Sequence, residues 1–333
     1  MAVPKRHFLQ LSAALALALA LGAAGGALAQ AFPARPVTLL VPYPAGGVSD
    51  NIARAINVPL GEVLQQPAIV DNVGGASGSI AAQKVLMAPS DGYLLFQGSP
   101  NELILAPMAI PSIKYKAEDF RQVHRIALAP MAILARGNLP AGNGDELAAY
   151  AARAAKEGKP MTYASVGVGT FYHLLGAELS KRLGVPMTHV PYKGGADALR
   201  DLAGGQVDIF ITPYSLPQVE MARQGRLKFV ATLSPKRQRL VPDVPSTTES
   251  QALKHFTAEI GTGYFVKQGT PEATVQALHK ALQKAMDDTR TKAALFALGQ
   301  DMAPPQSLAD AARSYQNEIA TYQAIAKSIG LAP

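Results

Sequence analysis

The chain of 333 residues contains no cysteine and no tryptophan, and only 17% of its residues are charged. Without cysteine there is no disulfide, thiolate metal site, iron–sulfur cluster or cysteine nucleophile. Without tryptophan a sugar-stacking site loses its usual platform, although 11 tyrosines and 10 phenylalanines remain. Enzyme signatures are missing as well. The P-loop pattern G-x-x-x-x-G-K-[ST] is absent, and Gly167-Val168-Gly169 leads to Tyr172 where a dinucleotide fingerprint needs its third glycine. Gly75-Ala76-Ser77-Gly78 ends on Ser79 where a nucleophile elbow requires glycine. His124, His173, His189, His255 and His279 include no pair three to five residues apart, so no zinc set is visible. No cofactor, no metal and no nucleophile–base arrangement is expected, which favours binding over catalysis.

The N-terminus carries a targeting pattern. Lys5, Arg6 and His7 precede an almost unbroken Leu/Ala run from Leu9 to Leu21, and Ala27-Leu28-Ala29 supplies small residues for cleavage. Residues 1–29 therefore read as a secretory signal peptide, too short in its apolar run for a membrane span of about 20 residues. Cleavage near Gln30 removes Lys5 and Arg6 from the 31 basic residues, so the net charge falls from +7 to +5. The remaining charges are scattered, which argues against a nucleic-acid face and suits a small anionic ligand. No later segment reaches spanning length, so an exported soluble protein is expected.

After the signal, short β-branched runs alternate with Ala/Leu-rich helical stretches, the pattern of an α/β fold with parallel strands. The expected strands include Val37 to Val41, one ending at Ile69-Val70, Tyr93 to Phe96, a long one from Ile126 to Ala135, Met161 to Ala164, Met187 to Val190, Val207 to Ile211, Leu227 to Leu233 and Tyr264 to Val266. A helix starts near Ser49 or Asp50, and Pro59 is expected to kink or interrupt it. Three helical stretches follow Pro271.

Four strand-to-helix loops are rich in Gly, Ser and Thr: Ala45 to Val48, Gly74 to Ser79, Ser165 to Thr170 and Tyr192 to Gly195. Glycine lets backbone N–H groups turn toward one point, and a helix N-terminus adds about half a positive charge. Open α/β sheets bind ligands just outside the carboxyl ends of their strands. Recurring in both halves, these loops point to an anion-binding cleft. Around them, Asp50 reads either as a helix N-cap or as a brace for the first loop. His173 is a structural histidine or a ligand contact, and Lys193 is a partner for a carboxylate or a solvated surface lysine. Tyr43 and Tyr264 are cleft walls or core aromatics.

These residues resemble a known family. Val41-Pro42-Tyr43-Pro44-Ala45-Gly46-Gly47-Val48-Ser49-Asp50 and Asp91-Gly92-Tyr93 look like the Bug family, the periplasmic substrate-binding proteins of tripartite tricarboxylate transporters. Tyr163-Ala164-Ser165 with Gly167, Gly169, Thr170, His173 and Leu174 match as well, as does His189-Val190-Pro191-Tyr192-Lys193-Gly194-Gly195. Gly204-Gly205-Gln206-Val207-Asp208, Pro242-Asp243-Val244-Pro245 and Gly269-Thr270-Pro271 complete the set.

The resemblance implies a type II periplasmic-binding-protein fold, an α/β architecture of two lobes joined by a two-segment hinge. Lobe one would comprise residues 31–130 and 257–333 and lobe two residues 131–256, with crossings near Ala129–Ala132 and Phe256–Gly263. It further implies a monomer that captures a small organic carboxylate in the periplasm and hands it to membrane permease subunits. One carboxylate would be held by backbone amides of Ala45, Gly46, Gly47, Gly75 and Ala76, often through water. The other lobe would contribute Ser165, Gly167, Gly169 and Thr170, with Tyr43, Asp50, His173, Tyr192, Lys193 and Thr212 completing the expected binding set. Departures from the family pattern are Val166 in place of a small hydroxyl residue, Thr212 in place of a common acid, no tryptophan near Ile260 to Tyr264, and an atypical Asn138 to Asp145. Losing the acid makes an amino-acid ligand less favoured. Two rival readings stay open: a ligand-presenting accessory of a sensor kinase, and an enzyme acting on a small carboxylate.

Overall fold

Val37–Val41, five apolar or β-branched residues, form β1, as their pattern predicts. In the computed structural model, which describes residues 32–328, β1 lies between β2 (Ala68–Asn72) and β3 (Leu94–Gly98), parallel to both. The expected signal peptide lies outside the described residues. Helix α1 (Val48–Leu64) links β1 to β2, and α2 (Ser79–Met87) links β2 to β3. After β3 come a π-helical turn (Asn101–Leu105) and the short α3 (Ala106–Ala109), neither anticipated from the sequence.

The long strand β4 runs from Phe120 to Arg136, six residues earlier than its apolar run suggested. Beyond it lie α4 (Gly144–Lys156), β5 (Thr162–Ser165), α5 (Phe171–Leu183), β6 (Thr188–Pro191), α6 (Gly195–Ala203), β7 (Ile209–Pro213), α7 (Leu216–Arg223) and β8 (Leu227–Thr232). The chain then returns through β9 (Glu259–Lys267), α8 (Glu272–Asp287), α9 (Thr289–Ala297), the two-residue β10 (Asp301–Met302) and α10 (Leu308–Ser328). The three C-terminal helices match expectation.

The described residues from Pro36 onward form one compact unit. Its main strand order is β2-β1-β3-β9-β4-β7-β5-β6, with β8 and β10 also paired to β4. Strand β4 serves two sheets in succession. Phe120 to Pro130 pair antiparallel with β9, and from Met131 onward the partners are β7 and β8. Pro130, which has no N–H to give a ladder, sits where the pairing changes hands. This is the type II periplasmic-binding-protein fold, two α/β halves sharing β4. A hydrophobic cluster runs through both halves, from Leu40 and Phe96 past Met131 and Ile133 to Leu147 and Leu179.

At Pro59 the interruption that was one of the two expected outcomes does not occur. Helix α1 continues through it without a break. Proline cannot donate to the carbonyl four residues back, here that of Ala55. The fully buried Thr291 of α9 donates its hydroxyl to that oxygen at 3.4 Å, replacing the missing bond from outside the helix. Among the described residues no helix is long and apolar enough to cross a membrane.

Candidate functional site

The first loop leaves β1 at Pro42 and enters α1 through Gly47, its N-cap. Asp50 is therefore not the N-cap; it stands in the first helical turn. Its buried carboxylate reaches back to accept the Gly46 N–H at 2.9 Å, while the Arg54 guanidinium donates to the same oxygen at 2.9 Å. Burial alone would raise the Asp50 pKa, but these donors outweigh it and hold the carboxyl below its ordinary value. Asp50 thus braces the loop at Gly46, whose positive φ of 83° suits glycine. The Gly46 N–H that the resemblance assigned to a ligand is already taken. Tyr43 is fully inserted: its ring joins the core of the other half beside Ala132, Leu134 and Val166, and its hydroxyl donates to Glu102 at 3.1 Å.

The second loop has four consecutive positive φ values at Gly75, Ala76, Ser77 and Gly78. For Ala76 and Ser77 this left-handed backbone costs about 1 kcal/mol or more each, and such strain concentrates where loops serve ligands. The turn aims the Ser77 hydroxyl at the opposite half, where it donates to the Val168 carbonyl at 2.7 Å. A Cβ on Gly167 would collide with the Ser77 hydroxyl oxygen, so glycine is required for this approach. Pro44 packs in the same way against Gly194, where an added Cβ would lie 2.8 Å from the proline ring.

The third contact was missed from sequence. Asn101, at the start of the π-helical turn, accepts the Phe171 N–H at 2.7 Å, joining it to the first residue of α5. The signal was present as two adjacent polar residues, Asn101 and Glu102, ahead of an apolar run that buries both.

In the loop after β5 the expected hydroxyls serve the loop itself. Ser165, fully buried, accepts the Gly167 N–H at 3.1 Å and lies 3.0 Å from the Gly167 carbonyl and 2.6 Å from His189 Nε2. Thr170 is the N-cap of α5, accepting the His173 N–H and donating to Gly167 at 2.8 Å. His173 Nδ1 accepts the Gly169 N–H at 3.1 Å, so that nitrogen carries no proton. The His173 and His189 rings stack at 4.0 Å. Burial, with His173 as a second cause, pushes His189 down to about 4, and burial lowers His173 as well. The fold thus creates a Ser165–His189 pair that the sequence did not reveal. Its oxygen is sealed from solvent and held by Gly167, which gives it a structural part.

Val166 is buried in the same hydrophobic cluster as Tyr43. Thr212, 4% exposed, sits opposite Ala132 in the β7–β4 ladder. Lys193 is exposed, while the Tyr192 phenol lies beside Asp201 at the far end of α6, where burial and that carboxylate raise its pKa. Tyr264 is a core residue whose hydroxyl reaches Gln97 at 3.4 Å. The structure therefore brings together the loops at 44–50, 75–79, 99–102, 165–171 and 194–195, with the N-termini of α1, α2, α5 and α6 beside them. First-turn N–H groups have no intrahelical partner, so such a set can hold an anion without a charged side chain. Separately, a cavity of about 780 Å³ is lined by Arg125, Ser234, Gly261 and Glu318 among others, and meets these loops only at Phe171.

Four similarities bear on this site. A family model described as "Tripartite tricarboxylate transporter family receptor" matches residues 52–331. The solved periplasmic binding protein BugD shares 30% identity at a TM-score of 0.83, over 90% of this chain and 99% of that one. MatC (Rpa3494) from Rhodopseudomonas palustris, solved with bound malate, shares 31% identity at a TM-score of 0.81, over 88% and 99%. Rpa4515 of the same organism, solved with adipate, shares 29% identity at a TM-score of 0.83, over 91% and 99%.

Proposed function

From the premise that this chain belongs to the tripartite tricarboxylate transporter receptor family, we propose that it is an exported solute-binding protein. It captures a small organic carboxylate between its two halves and delivers it to tripartite permease subunits. The observation that carries this reading is the meeting of glycine-rich strand-to-helix loops from both halves, with Ser77 on Val168 and Pro44 on Gly194. Structural neighbours that bind malate and adipate support the ligand class. The family and these neighbours are solute-binding proteins rather than enzymes.

The grip on the anion falls to the Ala45, Gly47, Gly75 and Ala76 amides, with Gly46 held in shape by Asp50. On the other side Ser165, Thr170 and His173 shape the loop that carries Gly167 and Gly169. Tyr43 closes the floor, while Tyr192, Lys193 and Thr212 flank the loops at greater remove. The lobes are residues 31–130 with 257–333, and 131–256. The change of partners in β4 at Pro130 supports a hinge there, and closure replaces water around the anion by fixed donors. A few charge-assisted bonds in a closed cleft reach micromolar affinity, about −8 kcal/mol. The predicted signal peptide accounts for export.

The test is thermal stabilisation by a panel of mono-, di- and tricarboxylates. A Cβ at Gly46 meets nothing within 4 Å, so Gly46→Asp adds a carboxylate in open space and Gly46→Ala adds the same backbone strain without charge. Stabilisation should persist in Gly46→Ala and vanish in Gly46→Asp. Equal stabilisation in both would remove the first loop from the site.

A further inference from the structure

Glu102 is a carboxylic acid buried where the three loops of the first half meet. It is 1% exposed. One carboxyl oxygen accepts the Tyr43 hydroxyl at 3.1 Å and the Ser99 hydroxyl at 3.0 Å, and the other accepts the Ser99 N–H. Its Cβ lies 2.9 Å from where a Cβ on Gly78 would stand, directly under the strained second loop. The next residue back, Asn101, makes the bond to Phe171 of the opposite half. The ionisable groups that face it are tyrosines: Tyr43 from the first loop, Tyr115 from the segment before β4, Tyr172 from α5 and Tyr315 from α10. No lysine, arginine or histidine among the described residues pairs with it.

A buried carboxylate without a cation is costly, and a second anion bound beside it raises that cost. The surroundings suit both protonation states. The hydroxyls of Tyr43 and Ser99 donate to an ionised carboxylate, and either can turn to accept from a protonated one without moving a heavy atom.

We propose that Glu102 makes ligand capture proton-linked: the cleft closes on a carboxylate only with Glu102 neutral, so binding at alkaline pH takes up a proton. This rests on the carboxylate-binding reading above. Burial pushes the Glu102 carboxyl up to about 7, against the pull of its Ser99 and Tyr43 donors, so the linkage falls within an accessible pH range. The sign follows directly. Below pH 7 Glu102 is already protonated, and affinity is high and flat. Above pH 7 the proton must be bound along with the anion, and affinity falls by up to about tenfold per pH unit. His189 is pushed far below this range and His173 is lowered with it, and the carboxyls of the dicarboxylate ligands are ionised through most of it, so none of them mimics the effect.

The experiment is calorimetric titration of the full protein with malate, adipate and succinate from pH 6 to pH 8.5. Two buffers of different ionisation enthalpy count the protons taken up. Wild type should bind up to about thirtyfold more weakly at pH 8.5 than at pH 6, with measurable proton uptake at the higher pH. Glu102→Gln should bind with flat affinity and no uptake. Binding without uptake or pH slope in the wild type, or a slope that survives in Glu102→Gln, overturns the proposal and leaves the carboxylate reading standing. If none of the three ligands binds at any pH, that reading fails and takes the proposal with it. Should Glu102→Gln not fold, the wild-type proton count alone decides.

Discussion

Asp50 shows how one side chain can matter to an anion site without touching the anion. Its carboxylate would repel a bound carboxylate, yet bonds to Gly46 and Arg54 consume one of its oxygens and fix the loop that carries the neighbouring amides. Asp50→Ala should cost about 1–3 kcal/mol of unfolding free energy, the price of a lost charge-assisted bond, and weaken ligand stabilisation with it. Chemical denaturation and the carboxylate thermal shift check both. Because the Asp50 pKa is lowered on folding, its contribution is present above the unfolded carboxyl range and lost as acid protonates it. At this scale the sequence was only half legible. The residue types of the loops were visible, since Gly, Ser and Thr after a strand have a backbone meaning. What Ser165 and Thr170 bond to was not, because their partners depend on the φ of Gly167 and on His189 of another strand.

Elements were easiest to read where glycine or proline punctuates them. The loops after β1, β2, β5 and β6 all stand where that punctuation put them. The Asn101–Leu105 turn was missed although Gly98 and Pro100 stand just before it, because its polar residues are buried by tertiary contacts that local pattern cannot report. Pro59 is a related case. Local sequence predicted a kink or a break in α1, and the helix does not break: the carbonyl that Pro59 orphans is bonded by Thr291, 236 residues away. Thr291→Val, close in shape but without the hydroxyl, should destabilise the protein by about 1 kcal/mol through that unpaired oxygen. A midpoint in urea equal to wild type would show that the hydroxyl contributes nothing to the continuity of α1.

For the whole molecule, a sheet shared by one long strand is what lets two halves meet at their loops. The apolar run of β4 was legible from Ile126, while its first six residues, Phe120 to Arg125, mix polar with apolar side chains and read as no strand. Pairing with β9 makes them one. The central claim is that a carboxylate binds where loops from both halves come together. Amide chemical shifts of isotope-labelled protein, followed during titration with malate and adipate, test it most directly. Gly47 and Gly75 of one half and Gly167, Gly169 and Gly195 of the other should move together and saturate at the same concentration. Shifts confined to one half, or centred on the cavity of Arg125, Ser234 and Gly261, would contradict it.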